Sequence, residues 1–98
     1  MNEIEIKGFN FRIKKMNMIE LLALQSQISF DSIESTMKMY ELFLERIEVQ
    51  LNDTWLAVKE KGKTIYYPSG IENDATMLQK LISYFLDYVK QVFQKSNA

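Results

Sequence analysis

Histidine and cysteine, the side chains that most often carry enzyme chemistry at neutral pH, are both absent from this chain. Their absence removes thiolate nucleophiles, disulfides, Cys/His zinc sites, Ser-His-Asp triads and imidazole acid–base catalysis together. Any reaction would fall to carboxylates, lysines or tyrosines. The densest acidic set is Glu34, Glu41, Glu45 and Glu48, which recurs at helical spacing. Two carboxylates can share general acid–base work when a pocket drives their pKa values apart. A stripe along one helix face implies no such pocket, and its ordinary meaning is a solvated surface. The other meaning open to it is a docking surface for a basic partner. Lys61-Gly62-Lys63 holds a Gly-Lys pair but nothing else of a phosphate loop, and Gly8, Gly62 and Gly70 stand apart from one another. No alternating Asp/Asn run forms a calcium loop. The residues therefore predict no catalytic group, no cofactor and no metal, and the protein is not expected to be an enzyme.

The basic residues raise a different possibility. Lys7, Arg12, Lys14 and Lys15 lie in one extended-looking segment, and Lys59, Lys61 and Lys63 with Tyr66 in another. Such groups can neutralise phosphates and stack a base. Lysines at strand edges also block edge-to-edge aggregation, which is the plainer meaning here. The overall charge of −1 conceals an uneven distribution: +2 over residues 1–15, −5 over 16–53, +2 over 54–67 and zero over 68–98. An acidic middle would repel DNA, so no nucleic-acid partner is expected. No apolar run approaches the roughly 20 residues of a membrane span, and Met1-Asn2-Glu3 does not open a signal-peptide pattern. The expectation is a soluble cytoplasmic protein without a membrane partner.

The elements that must position these residues follow from periodicity. With 98 residues, 47% hydrophobic and 26% charged, the chain suits one globular domain over residues 1–95, with a frayed tail over 96–98. Ile4, Ile6, Phe9, Phe11 and Ile13 alternate around Gly8, which predicts a hairpin with one apolar face. Asn17, with Glu20 three residues on, predicts the cap of a first helix. Asp31 or Ser32 then caps a second helix running to about Leu51. Ile33, Met37, Tyr40, Leu44, Ile47 and Leu51 form its apolar arc, and the four glutamates its acidic one. Asn52-Asp53 ends that helix. Trp55 to Tyr67 reads as a second hairpin turning at Lys61-Gly62, with Leu56 and Val58 beside Tyr67 and Ile65. After Pro68-Ser69-Gly70, Asn73 or Asp74 caps a last helix that reaches about Gln94. The order ββααββα predicts an α+β fold of two short antiparallel hairpins packed with three helices.

The last helix is the most informative. Leu78, Leu81, Ile82, Tyr84, Phe85, Leu86, Tyr88, Val89 and Phe93 spread over roughly 200° of its circumference, against the 100° or so that a single core contact needs. Either the domain covers this helix from two sides, or one edge is an open contact surface. Ile82, Leu86 and Phe93 make one candidate edge, and Tyr84 and Tyr88 the other.

A family resemblance rests on these same residues. Glu3-Ile-Glu-Ile-Lys-Gly8, then Phe11-Arg-Ile-Lys-Lys-Met16, leads into a helix; Trp55-Leu-Ala-Val58, Pro68 and a terminal helix rich in Leu and Phe follow. Over nearly its full length the chain resembles the small tail assembly chaperones of long-tailed bacteriophages and prophages of Gram-positive hosts. The resemblance implies a non-enzymatic role in the cytoplasm of the host bacterium. It implies coating of the long helical tape-measure protein until tail-tube subunits polymerise around it, and self-association into a homo-oligomer. The alternative expectation is a small phage-encoded inhibitor of one host protein, presenting the acidic helix face to a basic groove.

Overall fold

Alternating side chains and a glycine turn build the first hairpin as the periodicity predicts. The computed structural model describes residues 3–96, with side chains described through Gln94. Strand β1 (Glu3–Ile6) pairs antiparallel with β2 (Phe9–Ile13), placing Ile4 opposite Phe11 and Ile6 opposite Phe9. Glu3 faces Arg12 and Glu5 faces Asn10 on the other side of the ribbon. Lys7 and Gly8 both have positive φ, 51° and 85°, as a two-residue turn matching strand twist requires. Helix α1 (Met18–Gln27) starts at Asn17, whose side chain accepts the Glu20 N–H at 2.9 Å. Helix α2 (Ile33–Leu44) starts at Ser32, which exchanges hydrogen bonds with Ser35 in a reciprocal cap.

The second helix is shorter than its spacing suggests. It ends at Leu44, and Ile47–Leu51 forms strand β3. Leu44, Ile47 and Leu51 fit helical spacing, but Ile47, Val49 and Leu51 also fit strand alternation, and the ladders available on both sides favour the strand. Asn52 and Asp53, at φ 51° and 65°, form a second two-residue turn into β4 (Thr54–Ala57). The second hairpin is therefore β3–β4, not Trp55 to Tyr67. Across Lys61-Gly62 only a short ladder remains: Lys59 bridges Tyr66, and the Tyr67 N–H donates to the Val58 carbonyl at 2.8 Å. The register differs from the expected one: Tyr67 meets Val58 rather than Leu56, the Glu60 N–H reaches the Ile65 carbonyl, and Leu56 pairs with Val49.

The two hairpins join through β2 and β3, where Phe11 meets Val49 and Ile13 meets Ile47. The result is one four-stranded antiparallel sheet in the order β1-β2-β3-β4, with the element order ββααββα. The inner face of the sheet contributes Phe11, Ile47 and Val49, all fully buried, against Met39 and Phe43 of α2 and Leu81 and Phe85 of helix α3 (Ala75–Ser96). Phe43 and Phe85 stack with centroids 4.6 Å apart. Each such side chain is worth about 1.5–3 kcal/mol on burial. The inward side of α2 is thus Met39, Phe43 and Leu44, not the arc that begins at Ile33 and Met37.

Asp74 caps α3 by accepting the Met77 N–H at 3.1 Å, and it takes the Lys7 ammonium at 2.8 Å. That bond fastens the β1–β2 turn to the start of the last helix. The hydrogen bond from Lys7, joined by that from the Met77 N–H, holds the Asp74 carboxyl below the usual carboxylate range. Helix α3 continues through Ser96, beyond the expected start of a frayed tail; Asn97 and Ala98 lie outside the described residues. Among the described residues, no helix is long and apolar enough to cross a membrane.

Candidate protein-binding surface

The acidic set separates once β3 replaces the end of the predicted helix. Glu34 and Glu41 remain exposed on α2. Glu45 lies just past its end and pairs with Lys59 at 3.3 Å, their side chains only 14% and 8% exposed. Glu48 sits on β3 and accepts from Arg12 at 2.9 Å across the sheet. The four carboxylates therefore share no helix face, and two of them are occupied by internal cations. The Arg12 guanidinium also lies over the Trp55 ring, 4.1 Å from its centre. Lys7, Lys59 and Lys63 are ion-paired as well, to Asp74, Glu45 and Glu60.

The wide apolar arc of α3 is largely internal. Ile82 is 6% exposed and belongs to the core with Leu81, Phe85 and Val89, so it cannot meet a partner as expected. Tyr84 and Tyr88 are half-buried against the core, Tyr88 tilted toward Phe85 with ring centres 6.5 Å apart. Burial pushes the Tyr84 hydroxyl above its usual pKa, and its hydrogen bond with the Ile13 backbone pulls the other way. Leu86 and Phe93 remain half-buried, but they line a groove of about 480 Å³ that Gln25 and Ile28 close from α1. Of the two candidate edges, then, part of one opens onto a concavity.

The most exposed apolar side chains lie elsewhere. Met18, Ile19 and Leu22 of α1, Phe30 of the connection, and Ile33 and Met37 of α2 are all exposed, Ile19 to 78%, Ile33 to 80% and Met37 to 60%. Helix α1 buries only Leu21 and Leu24, which leaves its remaining large apolar side chains outward. Met18, Leu22 and Gln25 stand one above another at helical spacing, and Gln25 is a wall of the groove. The outward face of α1 therefore leads into the groove beside Leu86 and Phe93. Ile33 and Met37 follow within a few residues, in the first turns of α2, ahead of its buried Met39, Phe43 and Leu44. Scattered exposed apolar residues are ordinary, but the concentration of six large ones between residues 18 and 37 makes this segment the candidate contact surface. The signal in the sequence was α1 itself, whose Met18, Ile19, Leu21, Leu22, Leu24 and Ile28 exceed a single stripe.

Among the described residues, no group of three acidic, His or Cys side chains could hold a metal ion. No protein-family model matches this chain, and no curated protein or solved structure matches it.

Proposed function

We propose that this chain is a non-enzymatic protein-binding protein, a tail assembly chaperone of a long-tailed bacteriophage or prophage. In this role many copies coat a tape-measure protein in the cytoplasm of the host bacterium and keep it soluble until the tail tube forms. The observation that carries the reading is the exposed apolar set Met18, Ile19, Leu22, Phe30, Ile33 and Met37, together with the groove at Leu86 and Phe93 that Gln25 of the same helix α1 also lines. A helix-lined apolar surface with an adjoining groove suits the apolar stripe of an extended helical partner, which binds by laying its own apolar face into such a surface. The absence of histidine and cysteine and the resemblance of the two hairpin segments and the terminal helix to that family point the same way. The inhibitor reading loses the feature that suggested it, since Glu45 and Glu48 are engaged internally.

The test is a tagged pull-down from the producing host, read by mass spectrometry and by the mass of the complex. A very long helical protein carrying many copies of this chain is the expected product. The variant Ile19→Ser/Ile33→Ser/Met37→Ser should lose it while remaining folded. Recovery of a single host enzyme at equal stoichiometry would overturn the proposal.

A further inference from the structure

Among the described residues, the outer edge of β1 has no strand beside it, because the sheet order places β1 at one end. In a hairpin with a two-residue turn, the residues flanking the turn exchange hydrogen bonds and the pattern then alternates. Ile6 with Phe9 and Ile4 with Phe11 are thus the bonded pairs, and Glu3 and Glu5 direct their backbone N–H and C=O groups outward. A groove of about 580 Å³ runs along this edge. Ile4, Glu5 and Ile6 all line it although their side chains alternate between faces, so its floor is the strand edge itself. The opposite wall is one stripe of α3, formed by Thr76, Gln79, Ser83 and Asp87, with Lys80 and the half-buried Tyr84 beside them. At 1.5 Å per residue that stripe spans about 16 Å, close to the roughly 13 Å of a four-residue strand.

We propose that this strand–helix groove receives an extended basic segment of a partner protein, which adds to the sheet as a fifth strand beside β1. Backbone pairing supplies the attachment, and the alternation of side chains supplies the selectivity. Residues of the incoming strand beside Glu3 and Glu5 lie on the outer face, where two exposed carboxylates favour lysine or arginine. Residues beside Ile4 and Ile6 lie on the inner side, over the hydroxyl and amide groups of α3, and suit small or β-branched side chains. A second copy of this chain is disfavoured there. Antiparallel pairing of β1 with itself through its outward groups sets Glu5 against Glu5 or Glu3 against Glu5, and like charges directly opposed are destabilising. The site is separate from the α1–α2 surface and does not depend on its role.

Fluorescence polarisation with two labelled peptides of about eight residues, long enough to cover β1, tests the proposal. One alternates lysine and valine; the other alternates lysine and proline, with equal charge but no main-chain donor at the proline positions. The lysine–valine peptide should bind at least about tenfold more tightly and shift the amide resonances of Glu3, Glu5 and the Thr76–Asp87 stripe. Glu3→Lys/Glu5→Lys, which alters only exposed side chains, should transfer the preference to a glutamate–valine peptide. Equal affinity for the two lysine peptides would reduce the effect to charge alone and overturn the proposal, as would resonance shifts that spare β1.

Discussion

Replacing Ile33 and Met37 together by serine separates folding from binding. Ile33 is 80% exposed and Met37 60%, so the free chain loses little packing when these side chains shrink. Each change should stay within about 0.5 kcal/mol of the parent. Ile82, at 6% exposure inside the core, provides the contrast. Ile82→Ala removes buried methyl groups and leaves a cavity, at a cost of about 2–5 kcal/mol. For a domain of this size each kcal/mol moves the Tm by about 4–8 °C. Thermal scans should therefore place Ile82→Ala at least about 8 °C below the parent and the serine double variant within a few degrees of it. Binding reverses the ranking. Covering the exposed part of Ile33 and Met37 on a partner is worth about 2 kcal/mol in all, which is roughly thirtyfold in Kd. Titration of the purified partner with both variants measures that difference. If the serine double variant melts as low as Ile82→Ala, the two side chains are covered in the native protein and the reasoning fails. Light scattering on the same sample would then show whether a second copy covers them.

Three other outcomes follow from particular contacts. Lys59→Ala strands the Glu45 carboxylate at 14% side-chain exposure and should cost about 3 kcal/mol in urea denaturation; if Lys59→Ala and Glu45→Ala each leave the midpoint unchanged, the pair contributes nothing. Because Lys7 lowers the folded-state pKa of Asp74, its contribution to stability is full above the unfolded value near 4 and is lost as pH falls through the lower folded value. Asp74→Asn should flatten the acid limb of a Tm-versus-pH curve, and parallel limbs for variant and parent would refute the linkage. Burial raises the Tyr84 pKa, so its contribution is present below about 10 and declines as pH rises through the folded value. Ultraviolet titration should show one late-ionising tyrosine that Tyr84→Phe removes, and persistence of that component would assign it to another residue.

The first hairpin, the caps at Asn17 and Ser32 and the start of α3 at Asp74 were legible because each is written locally: alternation, a glycine turn, a small polar residue before an apolar run. The boundary at Leu44 was not. Leu44, Ile47 and Leu51 satisfy a period of 3.6 while Ile47, Val49 and Leu51 satisfy a period of two, and only pairing with Phe11, Ile13 and Leu56 decides between them. Every acidic-stripe expectation rested on that boundary, so Glu45 and Glu48 were misplaced with it. The α3 arc is over-wide in sequence, but its cover depends on Phe43 of α2 and Phe11 of the first hairpin sharing one core with it from separate elements. Leu86 and Phe93, which that spacing singles out, line the groove beside α1. Ile19 is signalled only by the excess of apolar residues around α1, and Ile33 and Met37 fall on the arc expected to face inward, so their exposure is decided by what packs against α2.

Ile13 and Ile47 are direct cross-strand partners, so the chain that leaves the sheet after β2 returns to the same place before β3. Helices α1 and α2 are in effect one long excursion with its two ends stapled together. Met39 and Phe43 hold α2 to the core, but α1, anchored by Leu21 and Leu24, has the smallest share in it of the three helices and can open without unzipping the ladder between β2 and β3. Its amides should exchange with solvent well before those of β2 and β3. The same anchorage lets the α1 part of the excursion lengthen or shorten without disturbing the register of β2 against β3.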